Sequence, residues 1–211
     1  MSVIKLINIC KKYDDKVIFD NLNLEINEGE FVSIVGESGA GKSTLLNIIG
    51  LLETADSGDI IIHNVKNPKL QKRSGSILLR NNIAYLFQNY GLIDNETVLE
   101  NLMISLRFRQ MTKKEKIKEA QKALENVGLS GLGKKKVYKL SGGEQQRVAL
   151  AKIMLKPCDI ILADEPTGSL DNDNKHAVLN ILKKFNEEGK TVIVVTHDSV
   201  VAECAKRSVK I

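Results

Sequence analysis

Gly36-Glu37-Ser38-Gly39-Ala40-Gly41-Lys42-Ser43 matches the phosphate-loop pattern G-x-x-x-x-G-K-[ST] at every defined position. The apolar run Phe31-Val32-Ser33-Ile34-Val35 precedes it and is typical of a buried strand, while residues 43–52 carry apolar side chains at helical spacing. A glycine loop between a strand and a helix offers backbone N–H groups and a positive helix end to an anion. The stretch therefore predicts an α/β core with a polyphosphate site. A loop that merely turns the chain is the alternative.

Size and composition indicate an ordinary globular domain: 211 residues, 43% hydrophobic and 27% charged. No apolar run approaches the roughly 20 residues of a transmembrane helix, and no secretory signal is visible, so we expect a cytosolic protein. Cys10, Cys158 and Cys204 lack zinc or redox spacing, which favours reduced structural thiols. The net charge of +5 favours a surface near an anionic membrane over nucleic-acid binding.

The remaining sequence predicts further strands and helices around this core. Alternating patterns predict antiparallel strands at residues 3–9, 17–26 and 60–62 and a short strand at 83–87. A helical block follows, with helices at 97–109, 112–128 and 142–155, the first two opened by capping boxes. A strand at 159–163, a helix at 174–188 and a strand at 191–196 complete the pattern. We expect one domain over 1–211, with a nucleotide-binding core of 1–87 and 157–211 and a helical subdomain at 88–156; the parallel strands joined by helices imply a sheet covered on both faces.

Two adjacent carboxylates, Asp164 and Glu165, follow the apolar run Ile160-Ile161-Leu162-Ala163. Ligands of open α/β sheets bind at such strand ends. The strand must end here, as Pro166 supports, because alternation would otherwise send the two side chains to opposite faces. We expect Asp164 to hold Mg²⁺ through water, with Ser43 as a direct ligand and Lys42 on the β- and γ-phosphates. A structural ion pair is the alternative for these acids.

A second anion site is predicted at Leu140-Ser141-Gly142-Gly143-Glu144-Gln145-Gln146-Arg147, called the signature segment below. Ser141 offers a hydroxyl, and Gly142 and Gly143 permit close backbone approach at a helix N-terminus. A plain helix cap is the alternative, since Ser141 and Glu144 also satisfy the capping-box pattern. The cap explains the start of the helix but not the glycine pair or the Gln-Gln-Arg tail.

Together and in this order, these motifs resemble the ATP-binding cassette ATPases over essentially the whole chain. The segments Phe87-Gln88-Asn89, Asn95-Glu96-Thr97-Val98-Leu99-Glu100-Asn101 and Ala163-Asp164-Glu165-Pro166-Thr167-Gly168-Ser169-Leu170-Asp171 are similar to the branch that serves macrolide, lipoprotein and antimicrobial-peptide exporters. Within that branch, the resemblance is greatest to ATPases of bacteriocin export systems of the lactococcin 972 type. It implies an α/β P-loop NTPase fold with a mixed β-sheet core, an N-terminal antiparallel β subdomain and an inserted α-helical subdomain.

The resemblance also implies residue roles. Glu165 corresponds to the general base that polarises the attacking water, and His197 to the histidine that contacts the γ-phosphate. Gln88 corresponds to a ligand of Mg²⁺ and water, and Tyr13 to the ring that packs on adenine; a structural histidine, a surface glutamine and a core or surface tyrosine are the alternatives. The expected catalytic residues are Glu165, His197, Lys42 and Gln88, and the expected metal ligands are Ser43, Gln88 and Asp164. The expected ATP contacts are Tyr13, Gly36, Ser38, Gly39, Ala40, Gly41, Lys42, Ser43, Thr44, Gln88, Ser141, Gly142, Gly143 and Asp171.

The same resemblance implies partners. ATP and Mg²⁺ would lie between the phosphate loop of one copy and the signature segment of another, with Asp171 crossing the dimer interface. We expect a separate transmembrane permease to hold the dimer at the inner face of the cell membrane, and no nucleic acid. The alternatives are an ATPase that drives a membrane complex regulating cell-wall hydrolases and a nucleic-acid-associated cassette protein. Ala40 departs from the frequent serine of the family, and the end at Ile211 predicts that no C-terminal regulatory domain follows.

Overall fold

The computed structural model describes residues 1–168 and 170–211; Ser169, part of the predicted segment 163–171, lies outside the described residues. The strands are β1 (Ser2–Tyr13), β2 (Lys16–Asn27), β3 (Phe31–Val35), β4 (Ser57–Ile62), β5 (Val65–Lys66), β6 (Ile83–Leu86), β7 (Ile160–Asp164), β8 (Thr191–Val195) and β9 (Arg207–Lys210). The helices are α1 (Lys42–Ile49), α2 (Arg73–Asn81), α3 (Val98–Ser105), α4 (Lys113–Asn126), α5 (Gly142–Met154), α6 (Asn172–Glu187) and α7 (Ser199–Glu203).

The strands form two separate sheets, one antiparallel and one parallel. The N-terminal strands and β4 and β5 pair antiparallel in the order β2-β1-β4-β5, as the alternating pattern predicts. The other sheet has the order β6-β7-β8-β3-β9, and each adjacent pair is parallel. The phosphate loop therefore follows an interior strand of the parallel sheet.

The parallel sheet separates two hydrophobic clusters. In β7, Ile161 and Ala163 join the cluster formed with α3 to α6, while Ile160 and Leu162 join the cluster formed with α1 and the antiparallel sheet. Alternate side chains of a strand point to opposite faces, so a strand buried on both sides is apolar throughout. This explains the continuous apolar runs at β3, β7 and β8.

The helical block lies on one face of this sheet. Its α3 and α4 begin with the two predicted capping boxes, in which Thr97 and Thr112 accept from the backbone N–H of Glu100 and Glu115. The division of the chain at residues 88 and 157 stays a prediction. Among residues 1–168 and 170–211, no helix has both the length and the apolar character that a membrane crossing requires.

Some boundaries and elements differ from the prediction. The helix predicted over 97–109 ends at Ser105, because beyond the buried Leu106 the chain turns outward and Phe108 is 65% exposed, so little apolar surface is buried there to stabilise a further turn. The sequence did not predict helix α2, because its buried apolar surface comes from Leu78 and one such side chain does not form a repeat at helical spacing. The strand β9 is polar, so its pairing with β3 depends on tertiary contacts that no local pattern shows.

Candidate active site

Four predicted motifs follow neighbouring parallel strands. In the sheet Leu86 pairs with Ala163, Asp164 pairs with Val195, and Ile34 pairs with Val195. Because the carboxyl ends of parallel strands meet at one edge, the loops after β6, β7, β8 and β3 lie side by side. This edge carries Gln88, Glu165, His197 and the phosphate loop, respectively.

The phosphate loop is closed by its own lysine. Lys42 is 8% exposed, and its Nζ donates to the carbonyl oxygens of Gly36 at 2.9 Å and Glu37 at 2.8 Å. Gly41 has φ +95°, and a Cβ there would lie 2.3 Å from Cγ2 of Ile18, so no other residue fits without a shift. The predicted ligands Ser38, Gly39 and Ala40 lie in this loop, and Ser43 and Thr44 lie in the first turn of α1.

Two oxygen groups that could bind Mg²⁺, the Ser43 hydroxyl and the Asp164 carboxylate, face each other beside this loop. The Ser43 hydroxyl donates to Asp164 Oδ1 at 3.0 Å. Burial raises the pKa of the Asp164 carboxyl, the charge of Glu165 raises it further, and the Ser43 hydrogen bond and Lys42 oppose the shift. A hydroxyl and a carboxylate are ligands that Mg²⁺ accepts, and a cation would relieve the cost of the buried charge. These residues therefore fit the predicted Mg²⁺.

Asp164→Asn is expected to raise the melting temperature of the nucleotide-free protein by about 2 °C, as a small gain in stability would for a chain of this size. The amide avoids the cost of burying a charge and still accepts from Ser43. A carboxyl with a raised pKa destabilises the fold when it ionises, so the difference should vanish below about pH 4. Calorimetry across pH measures this, with exposed Asp20→Asn as control. A lower melting temperature for Asp164→Asn at pH 7 would contradict the expectation.

Glu165 lies at a sharp turn after β7. Its φ of +44° ends the strand, so the two adjacent carboxylates need not point to opposite faces of the sheet, as predicted. Its N–H donates to the Val195 carbonyl at 3.0 Å. The Glu165 side chain is 14% exposed. His197 Nδ1 donates to its Oε1 at 2.8 Å, and Thr196 Oγ1 donates to its Oε2 at 3.3 Å. The chain thus fixes both oxygens of a carboxylate beside the phosphate loop.

Tyr13 lies next to the phosphate loop. It pairs with Lys16 across the hairpin, and Lys16 Nζ donates to the Gly39 carbonyl at 3.4 Å. The Tyr13 ring is 43% exposed, with Nζ of buried Lys11 at 4.9 Å from its centroid. No motif marked either lysine as part of the site, although the short Asp14-Asp15 turn of the hairpin indicates the pairing of Tyr13 with Lys16.

Gln88 is exposed just beyond β6. In the part of the chain that the structure describes, no hydrogen bond joins Gln88 to Ser43, Asp164 or Glu165. The structure therefore brings Lys42, Ser43, Asp164, Glu165 and His197 together, and it places Gln88 at the same edge without a hydrogen bond to any of these five residues, all of which it describes.

The signature segment begins α5 with the predicted cap. Ser141 Oγ accepts from the Glu144 N–H at 3.2 Å, and the Glu144 carboxylate accepts from the Ser141 N–H at 2.8 Å. The glycine pair also has a reason within the chain. A Cβ on Gly142 would lie 2.8 Å from the Tyr90 hydroxyl, and one on Gly143 would lie 2.3 Å from Cγ of Asn174. Both the cap and the close packing are therefore present, beside an exposed helix N-terminus.

Asp171 caps α6 and connects it to α5. Its carboxylate accepts from the backbone N–H of Asn174 at 2.9 Å and from the side-chain amide at 2.7 Å, and these bonds hold its pKa below the usual range. Arg147 donates to the Asn174 side-chain oxygen. Asn174 thus links the signature segment to the Asp171 turn, a tertiary contact without a local sequence signal.

A family model, protein relatives and solved structures all match this chain to ABC transporter ATP-binding proteins. The ABC transporter family model matches residues 19–168. The macrolide export ATP-binding/permease protein MacB of Campylobacter jejuni is 40% identical over 209 residues, which are 99% of this chain and 33% of that protein. The chain therefore spans about a third of the length of these relatives.

Two further matches cover nearly all of both chains. The uncharacterized ABC transporter ATP-binding protein MJ0796 of Methanocaldococcus jannaschii is 43% identical over 214 residues, 97% of this chain and 91% of that protein. A solved dimeric structure of a post-hydrolysis state of the MJ0796 cassette, bound to ADP and Pi, has a TM-score of 0.90 at 41% identity, covering 99% of this chain and 94% of that one. The predicted fold class is confirmed.

Proposed function

Because the chain belongs to the ABC transporter family, as one of its ATP-binding cassette ATPases, we propose that two copies hydrolyse ATP between them and drive a separate membrane permease. The observation that carries this proposal is the cluster at the ends of the parallel strands, where Lys42, Asp164, Glu165 and His197 lie together. A phosphate loop with a carboxylate beside it is the arrangement that hydrolysis of a γ-phosphate needs.

Glu165 is the proposed general base. Its carboxylate takes a proton from the attacking water, whose oxygen forms a bond to the γ-phosphorus while the bond from that phosphorus to the β–γ bridging oxygen breaks. The products are ADP and phosphate. His197 orients Glu165 through the 2.8 Å hydrogen bond, and Thr196 holds the other oxygen. A base held at both oxygens loses little freedom when water arrives, which favours catalysis.

Lys42 and the phosphate loop are proposed to bind the triphosphate. Lys42 Nζ now binds two loop carbonyls, and phosphate oxygens would replace them. Ser43, Asp164 and Gln88 would hold Mg²⁺, which neutralises charge on the phosphates when bound. Tyr13 would pack on adenine, since its exposed ring adjoins Gly39 through Lys16.

The second half of each site is proposed to come from another copy. Ser141 lies at an exposed helix start whose N–H groups favour an anion. The dimeric structure of the MJ0796 cassette supports a two-copy arrangement. ATP held by both copies would favour the closed dimer, and hydrolysis would release it.

A groove between α2, α3 and α5 is the proposed permease site. It has a volume of about 760 Å³, an apolar wall that includes Phe87, Ile104 and Phe108, and a basic set formed by Arg80, Arg109, Lys152 and Lys156. Burial lowers the pKa of Lys152 and Lys156, so their charge would be stabilised by an acidic partner. The occupant we propose is a cytoplasmic segment of the permease with apolar and acidic side chains. The relative MacB is named as a combined ATP-binding and permease protein, which supports a permease partner for this chain.

Phe108→Ala is expected to weaken association with the proposed permease partner by about 10-fold or more, as loss of an anchoring aromatic does. The ring is 65% exposed and carries the Arg80 guanidinium 4.2 Å from its centroid, so its loss should leave the fold intact. Co-purification from membranes measures the association, and ATP hydrolysis by the isolated subunit should be unchanged. Ile7→Ala, an exposed apolar residue of the antiparallel sheet, is the control. Equal recovery of both variants would contradict the groove assignment.

The substrate we propose is a peptide, an antimicrobial or a lipoprotein-like molecule that the permease exports from the inner face of the membrane. The resemblance to exporter ATPases supports it, and the relatives named for macrolide export belong to the same branch. Uptake of labelled candidates into inside-out vesicles that contain the complex tests export. ATP turnover that depends on the permease without any substrate movement would favour a mechanical role in cell-wall hydrolase regulation.

A further inference from the structure

A buried amide connects the signature helix to the turn that carries Glu165. Gln146, on α5, is 1% exposed, and its Nε2 donates to the Pro166 carbonyl at 2.6 Å. Its Oε1 is buried and has no hydrogen-bond partner among residues 1–168 and 170–211. Burial of an unsatisfied oxygen costs free energy, and an apolar side chain of the same size would avoid that cost. Core packing alone therefore does not account for a glutamine here.

The accepting carbonyl of Pro166 belongs to the turn that carries Glu165. Glu165 has φ +44°, and its carbonyl accepts from the Gly168 N–H at 3.1 Å, which closes the turn around Pro166. On one side the Glu165 N–H is fixed to β8 through Val195. The Gln146 amide, on α5, holds the carbonyl of Pro166, the next residue of the same turn.

Ser141 caps the start of the same helix, little more than one turn before Gln146. A short helical segment moves as a rigid unit, so a shift at its N-terminus displaces the Gln146 amide. The neighbouring Arg147 adds a parallel link, because it bonds Asn174, which also bonds Asp171. The signature segment is thus joined to the Glu165 turn and to the Asp171 turn of its own chain.

We propose that Gln146 is a positioning residue that couples the signature segment to Glu165 of the same chain. When Ser141 of one copy closes on the ATP of the second copy, the Gln146 hydrogen bond sets the Pro166 carbonyl and with it the Glu165 carboxylate. Each copy then aligns its own base in response to nucleotide bound by its partner. This inference rests on the proposed roles of Glu165 and of the signature segment.

Gln146→Met tests the proposal because it keeps the volume and removes the donor. The kcat for ATP is expected to fall about 10-fold, with KM and the Kd for ATP within twofold of the wild type and an unchanged melting temperature. In a Glu165→Gln background, Gln146→Met should leave ATP-dependent dimer formation unchanged. Asn186→Leu is the matched control, since it removes an amide that donates to the Gly29 and Lys190 carbonyls at 2.9 Å near the opposite ends of the strands; its kcat should equal the wild type.

Gln146→Glu adds a readout that a packing role would not move. A buried carboxyl has a raised pKa, and its protonated form can donate to Pro166, so activity relative to the wild type should rise as pH falls from 8 to 6. An unchanged kcat in Gln146→Met overturns the proposal, and so does a parallel loss of ATP affinity and dimer formation. Full turnover by Glu165→Gln alone would instead overturn the proposed role of Glu165 as the base, on which this inference rests.

Discussion

Glu165→Gln is expected to reduce the kcat for ATP by about 10²–10⁴-fold, the contribution of a general base, while ATP still binds. The glutamine keeps the size of the side chain, and its amide oxygen can still accept from His197, while its amide N–H would donate to the Thr196 hydroxyl instead of accepting from it; it does not accept a proton from water. Thr196 and His197 hold the two carboxylate oxygens at 3.3 and 2.8 Å, so the substitution changes the chemistry more than the geometry. Phosphate release under single-turnover conditions, with the Kd for ATP measured separately, tests this.

The matched control is Glu187→Gln in α6, an acidic residue outside the site, whose turnover should equal the wild type. Turnover by Glu165→Gln within about threefold of the wild type would show that another group acts as the base. His197 would then be the next candidate, because it shares the same hydrogen bond.

Lys42→Met is expected to weaken ATP binding by about 30-fold or more. Removing one partner of a buried, hydrogen-bonded charge pair costs about 2–5 kcal/mol of binding free energy, because the other charge is left uncompensated. Lys42 is 8% exposed and already makes two hydrogen bonds to the loop, so its charge is held where we propose that the phosphates bind. Methionine matches the stem of the side chain and removes the charge. Calorimetric titration with ATP measures the change.

Lys190→Met provides the control for Lys42→Met. Lys190 Nζ also donates to a backbone carbonyl, that of Cys158 at 3.0 Å, but at the opposite ends of the parallel strands. Its loss should leave the Kd for ATP unchanged. Equal affinities for wild type and Lys42→Met would contradict the assignment of Lys42 to the phosphates.

Local signals predicted the central part of the fold well. The β3 strand, the glycine loop and α1 follow one another directly in sequence, so a local pattern contains all the residues that define them. The same holds for β7, where a buried run ends at two acids and Pro166, and the structure ends the strand at Asp164 with Glu165 in a left-handed conformation. Capping boxes at Thr97 and Thr112 also follow from side chains three residues apart.

Long-range contacts were beyond such signals. The polar β9 exists because it pairs with β3, and the side chains of Gln146 and Asn174 meet their partners across 20 to 27 residues of sequence. The glycine pair of the signature segment was attributed to a ligand alone, whereas Tyr90 and Asn174 also leave no room for a Cβ. The ligand roles of these residues stay predictions, since the contacts that define them involve a nucleotide and a second copy.

The most direct test of the two-copy account is the molar mass of Glu165→Gln with and without ATP and Mg²⁺, measured by light scattering after size-exclusion chromatography. We expect a monomer without nucleotide and twice that mass with ATP and Mg²⁺. The same protein carrying Lys42→Met in addition should stay monomeric. A Glu165→Gln protein that binds ATP at saturation and remains a monomer would contradict the claim that Ser141 of one copy completes the site of another.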